Sequence, residues 1–137
     1  MRLPEDEARA RFTAARVARL ATADAQGRPH LVPVTFATEG DSIYVAVDRK
    51  PKSTTALKRL SNIAENPHVA MLVDHYDDDW DTLWWVRADG TARILGTDTA
   101  APLRLLAARY RQYQAASPPG PVLAIQVARW SGWAASP

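Results

Sequence analysis

The sequence predicts a mainly β domain with inserted helices, about six antiparallel strands closing fully or partly into a barrel. Three observations carry this. Short β-prone runs recur between turns marked by glycine, proline and aspartate. Helix-spaced segments interrupt the strand series at two places. Neither an internal repeat nor a long low-complexity linker divides the 137 residues, so 1–137 reads as a single domain. Antiparallel strands with inserted helices suit a barrel, because closure removes exposed sheet edges.

Residues 5–18 place Ala8, Phe12, Ala15 and Val17 at roughly helical spacing after Pro4, which predicts a short helix. Residues 17–23 turn to small and branched apolar side chains and end in Asp24-Ala25-Gln26-Gly27, a strand and a turn. Residues 30–38 are β-prone with Pro33 inside, which demotes them to an edge strand. Glu39-Gly40-Asp41 is a turn and 43–47 a strand, so these three strands read as a meander. Ser53 or Thr54 can cap a helix carrying Leu57, Leu60, Ile63 and Ala64, which stops at Asn66-Pro67. Residues 69–73, 83–86 and 91–95 are strand-like, with a bulge or tight bend at Ala88-Asp89-Gly90. Asp98 or Thr99 starts a third helix with Leu103, Leu106, Ala107 and Tyr110 on one face. Residues 122–130 form the last strand.

Composition excludes several functions. There is no cysteine, which removes disulfides, thiolate metal sites and cysteine nucleophiles and fits a reducing, cytoplasmic setting. No apolar run reaches the ~20 residues of a membrane helix, and the acidic start Met1–Glu7 has no signal-peptide apolar stretch. A net charge of +2 is too small to argue for nucleic acid. Its distribution is more telling. All three lysines, Lys50, Lys52 and Lys58, lie between Arg49 and Arg59, giving five cations and no acid over 49–59. Asp74, Asp77, Asp78, Asp79 and Asp81 form an acidic stretch further on.

The segment Asp48-Arg49-Lys50-Pro51-Lys52-Ser53-Thr54-Thr55 follows a strand and opens a helix. Helix N-termini offer unpaired N–H groups to anions, and lysine, arginine and hydroxyl groups there make a candidate phosphate cradle. It reads equally as a solvated basic loop with an ordinary serine cap. Pro33-Val34-Thr35-Phe36 offers a flat strand surface for a planar ring, or simply a core-facing edge strand. Asp78-Asp79-Trp80-Asp81-Thr82-Leu83-Trp84-Trp85 holds three of five tryptophans, a density typical of core or interface packing. His75 with Asp77–Asp79 lacks the ligand spacing and glycine of a calcium loop, so no metal is expected. His30 and His68 read as strand-end residues. No serine–histidine–carboxylate set is recognisable, so an enzyme built on this chain would rely on a bound cofactor for reactivity.

Taken in order, the segments resemble the pyridoxamine 5'-phosphate oxidase-like, FMN-binding split barrels. The resemblance runs through Arg19-Leu20-Ala21-Thr22, Gly27-Arg28-Pro29-His30-Leu31-Val32-Pro33-Val34 and Tyr44-Val45-Ala46-Val47-Asp48. It continues through Lys50-Pro51-Lys52, Leu60-Ser61-Asn62-Ile63, Asn66-Pro67-His68-Val69 and Gly90-Thr91-Ala92. Val73-Asp74-His75-Tyr76-Asp77-Asp78-Asp79-Trp80 and Arg129-Trp130-Ser131-Gly132-Trp133 are similar to the actinobacterial branch of F420-dependent oxidoreductases. The resemblance implies a six-stranded antiparallel split barrel and a homodimer with cofactor sites at the subunit interface. It implies coenzyme F420, or FMN, as cofactor and a small organic substrate, with neither nucleic acid nor membrane as partner. The ring would lie on Pro33, Val34, Thr35 and Phe36, and the phosphate on Lys50, Lys52, Ser53 and Thr54. Arg49 or Lys58 would meet an acidic tail, and Trp80, Trp84, Trp130 and Trp133 would wall the groove from the far subunit. No residue is assigned a catalytic role.

Overall fold

The computed structural model describes residues 1–47, 54–118 and 120–136. Glu5–Ala14 forms α1, with Glu5, Asp6 and Glu7 in a first turn where the helix dipole favours acids. It ends four residues earlier than the sequence spacing predicts, because Ala15 is already extended. β1 (Ala18–Ala23) and β2 (Pro29–Val34) form an antiparallel hairpin, and β3 (Ala37–Glu39) and β4 (Ser42–Ala46) a second. After α2 (Thr54–Glu65), β5 (His68–His75) and β6 (Trp84–Leu95) pair antiparallel around a single 3-10 turn at Trp80–Thr82. The helices α3 (Ala100–Arg109) and α4 (Arg111–Ala115) lead into the last strand, β7 (Val122–Ala134).

Among the described residues one sheet takes all seven strands, in the order β2-β1-β5-β6-β7-β4-β3. Two sequence expectations are corrected here. The run 30–38 is two strands, since Thr35 and Phe36 leave the ladder, and this raises the count from six to seven. The expected three-strand meander is absent, because β4 pairs with β3 and β7 and not with β2. The edge-strand reading of Pro33 agrees with the place of β2 at one end of the sheet.

The edges are β2 and β3, yet only Thr35 and Phe36 separate them in the chain. Three residue steps span at most about 11 Å. The sheet must therefore curl until its edges approach each other, which encloses a core. Six strands contribute to one buried cluster, including Leu20, Val32, Ile43, Met71, Val86 and Ile125. Phe12 of α1 plugs it, with its ring 4.9 Å from Phe36 and 5.2 Å from Trp130. A second cluster packs Leu106 of α3 and Tyr110, which caps that helix, with Ala37 and Ala46.

The two strand-like runs 83–86 and 91–95 belong to one strand, β6, bent by a register shift between Asp89 and Gly90. Gly90 is required at that bend. A Cβ there would collide with the backbone carbonyl of Gln126 on β7.

Candidate functional site

The corner between β2 and β3 is held from outside the sheet. Phe36 has left the ladder, so its N–H and carbonyl need other partners. The Tyr110 hydroxyl accepts the Phe36 N–H at 3.1 Å and lies 2.9 Å from the carbonyls of Phe36 and Arg16. Arg109 Nη1 donates to the Phe36 carbonyl at 2.9 Å and Nη2 to the Ala15 carbonyl. The end of α3 thereby fixes the corner, and α4 follows at once beside it. Tyr113 of α4 reaches Thr35, hydroxyl to hydroxyl, at 2.8 Å.

A groove of about 520 Å³ opens at this corner. Its walls are Pro33 and Val34 from β2 and Thr35 just beyond it, Ala46 at the end of β4 and Val47 after it, Arg59 from α2, and Gln112, Tyr113 and Ala116–Pro118 from α4 and the chain beyond it. The size is that of a small-molecule or cofactor cleft. Pro33 is exposed and Thr35 half-buried, which presents an apolar strand surface ending in a hydroxyl. Arg59 is only 8 % exposed, so a guanidinium is held within the wall and not in open solvent. Val47 lies immediately before the cationic segment of the sequence and Arg59 is at its end. These features fit a planar ring with an anionic handle.

The structure disposes of the sequence candidates unevenly. Pro33, Val34 and Thr35 line the groove. Phe36 does not, because its ring is fully buried between Phe12 and Arg109 and belongs to the core. Arg49, Lys50, Lys52 and Ser53 lie outside the described residues, and Thr54 is the first residue of α2. Lys58 faces the β1–β2 turn, with its Nζ 3.7 Å from Asp24 Oδ2. Asp24 is buried and accepts from the Gln26 and Arg28 backbone N–H groups and from Arg28 Nε. The Arg28 backbone N–H, then its side chain, bring the Asp24 carboxyl down to about 2 against the opposing effect of burial.

Trp130 is corrected to a core residue. It is buried against Phe12 and its indole N–H donates to Asp41 Oδ1 at 2.9 Å, so its faces are used within its own chain. That bond, followed by one from Arg9, holds the Asp41 carboxyl below the usual range. Trp84 is half-buried, stacked on His75 and covered by Arg11 at 5.4 Å. Trp80 is exposed at the β5–β6 turn and donates to the Tyr76 hydroxyl at 3.2 Å. Trp84 and Trp133 line a second, mostly apolar groove on the outer face of the sheet, shared with Leu31, Leu72, Leu83 and Trp85. The carboxylates of Asp77 and Asp79 serve as turn acceptors for the N–H groups of Asp79 and Asp81. Among the described residues no cluster of three or more His, Asp or Glu could hold a metal, and no helix is long and apolar enough to cross a membrane.

The sequence missed Arg59, Gln112 and Tyr113 as groove residues. Arg59 stood at the end of a cationic run, where an arginine reads as solvated. Gln112 and Tyr113 sit in a five-residue helix whose place depends on contacts distant in sequence.

Solved structures share this architecture. A FAD-binding protein of Mesorhizobium loti superposes with a TM-score of 0.75 at 23% identity, over 96% of this chain and 95% of its own. The FAD-binding protein of Mycobacterium smegmatis gives 0.67 at 18% identity, with 97% of each chain covered. A heme storage protein of Vibrio cholerae gives 0.66 at 16% identity, over 96% of this chain and 95% of its own. No curated protein matches in sequence. The pyridoxamine 5'-phosphate oxidase family matches residues 4–134. With nearly its whole length matched and its antiparallel sheet curled as a split barrel, the chain belongs to the pyridoxamine 5'-phosphate oxidase family.

Proposed function

We propose that the chain is an oxidoreductase that uses coenzyme F420 to move a hydride to or from a small organic substrate. The observation that carries this is a single groove that gathers Pro33, Val34 and Thr35 with Val47 and Arg59, the residues bracketing the cationic segment. In this reading β2 supports the ring, while Arg59 and the segment with Arg49, Lys50, Lys52, Ser53 and Thr54 attract the anionic handle. When bound, the deazaflavin supplies the hydride chemistry. The chain's own task is to orient the ring and exclude water, which fits the lack of a recognisable acid–base set. Five cations without an acid suit a long polyanionic tail. The absence of cysteine suits a cytoplasmic setting.

The reading includes a homodimer. The outer groove around Leu31, Leu72, Trp85 and Trp133 is an apolar face of the kind that proteins bury against a partner. Leu31 lies two residues from Pro33 on β2, so both point outward on the same face. A second copy seated on the apolar face would therefore reach the ring groove.

FMN is the competing cofactor, and the FAD-binding proteins among the structural neighbours favour a flavin in general. A binding protein with little turnover is the competing role, favoured by the heme storage neighbour. Parallel titrations with F420 and FMN, followed by absorbance and fluorescence, separate these readings when joined to a turnover assay across candidate substrates. Tight F420 binding with substrate reduction is expected, and Lys52→Ala and Arg59→Gln should each weaken binding about tenfold or more, the worth of a charge-assisted hydrogen bond. Arg2→Ala should not. Equal affinity in all variants, or binding of neither cofactor, removes the proposal.

A further inference from the structure

We propose that the Thr35–Tyr113 hydroxyl pair is the polar recognition point for the edge of the bound ring, making Tyr113 a specificity-determining residue. This rests on the cofactor reading of the groove. Both side chains line it, both are half-buried, and their oxygens are 2.8 Å apart. Each hydroxyl carries one proton and two lone pairs. Either oxygen can be the donor between them, so one proton is spent on the pair and the other is available to the groove.

The consequence is chemical. Reversing the internal bond changes which oxygen offers the outward proton, and lone pairs remain on both. Such a pair can donate to a ring nitrogen or carbonyl, and it can accept from a ring N–H. A redox-active heterocycle changes between those two demands when it gains a hydride and a proton. A fixed donor such as lysine, or a fixed acceptor such as carboxylate, would match one state and oppose the other. Among the described residues Arg59 is the charged group in the same groove, and it suits the anionic handle. The hydroxyl pair, close to the end of β2, is placed to read the ring, with Gln112 and Ser117 further along the same wall.

The position of Tyr113 is set independently of any ligand. Its ring packs edge-on to Tyr110, with centroids 5.7 Å apart, and Tyr110 is itself tied to the Phe36 backbone. The hydroxyl is therefore presented by a braced side chain, a condition for discrimination between ring edges.

The test compares wild type, Tyr113→Phe and Thr35→Val by titration with FMN and with F420, each paired with a thermal melt and the absorption spectrum of the bound ring. For whichever cofactor wild type binds, both variants should bind about five- to tenfold more weakly. Their bound spectra should shift relative to wild type, and the gap between oxidised and reduced affinities should change. A merely structural brace would lower the melting temperature and leave the spectrum in place, and that result overturns the inference. Thr35→Val keeps the test open should Tyr113→Phe fold poorly. If wild type binds a cofactor and both variants match it in affinity and spectrum, the inference falls while the functional reading stands. If wild type binds neither cofactor, both fall.

Discussion

The Tyr110 hydroxyl sits against both backbone groups of Phe36, 3.1 Å from its nitrogen and 2.9 Å from its carbonyl oxygen, across 74 positions of sequence. This contact lets the sheet change direction. A residue that leaves a ladder strands a donor and an acceptor in the interior, and each must be satisfied there. Tyr110 supplies both functions in one group, while Arg109 adds a second donor to the same carbonyl. The corner that forms one lip of the candidate site is in this sense built by the helix pair.

Tyr110→Phe should therefore cost about 1–3 kcal/mol, the penalty for leaving buried backbone groups unpaired. Urea denaturation followed by circular dichroism measures it. Tyr113→Phe is the comparison, since its hydroxyl is bonded to the half-buried Thr35 and not to a buried backbone group. Equal costs for the two would show that the Phe36 contact is not what holds the corner.

That contact also marks where sequence reading stops. The β-prone runs 17–23 and 69–73 are legible in the sequence, and the structure has them as β1 and β5, where Ala18, Leu20 and Thr22, and Val69, Met71 and Val73, are the buried positions. The break at Thr35–Phe36 carries no local signal, because its partners are Arg109, the last residue of α3, and Tyr110, which caps it. Residues 30–38 accordingly read as one strand. Tyr110 was legible as a residue on the apolar helix face, but the use of its hydroxyl was not. Within the site, the sequence around Pro33, Val34 and Thr35 left a ring surface and a core-facing edge strand both open, and the family resemblance pointed to the former, whereas Arg59 and Tyr113 become site residues only when α2 and α4 meet at one groove.

Gly90→Ala should be severely destabilising. The added carbon meets the Gln126 carbonyl and Val127 Cα, both backbone atoms within the ladder, and neither can rotate away. Overpacking of this kind costs about 1–3 kcal/mol or more. Gly96→Ala is the control, with nothing within 4 Å of the new carbon. Thermal melts of the two proteins should differ clearly, and matching melts would mean that β6 and β7 separate at low cost.

Acid sensitivity should trace in part to Asp24. Its folded carboxyl titrates at about 2, below the ordinary 3.8, because Arg28 donates to it from backbone and side chain. The group is ionised in both states well above 3.8, so its stabilising effect is complete there. As pH falls below that value the unfolded chain binds the proton first, and the effect fades until it is gone below about 2. Asp24→Asn should thus be less stable than wild type at neutral pH, and the two should converge between about pH 4 and pH 2. Urea midpoints measured at half-unit pH steps test this, and a gap that stays constant across that window would remove Asp24 as the cause.

The apolar outer face offers a decisive test of assembly. Leu31 is 67 % exposed and Leu72, Trp85 and Trp133 between 36 % and 40 %, although strands β1, β2, β5, β6 and β7 form a continuous ladder beneath them. Water is a poor environment for so much contiguous apolar surface, and a second copy would bury it. Wild type should therefore sediment as a dimer at micromolar concentration. Leu31→Glu with Leu72→Glu should yield a folded monomer, since each places a charge where the partner would exclude water. Ile94→Glu is the control, because Ile94 is also exposed but lies beyond the Gly90 bend and outside the apolar groove. If the partner closes the ring groove, the monomeric variant should lose cofactor affinity with Pro33 and Arg59 intact. A wild type that sediments as a monomer rejects the dimer, and a double variant that stays dimeric moves the interface to another face.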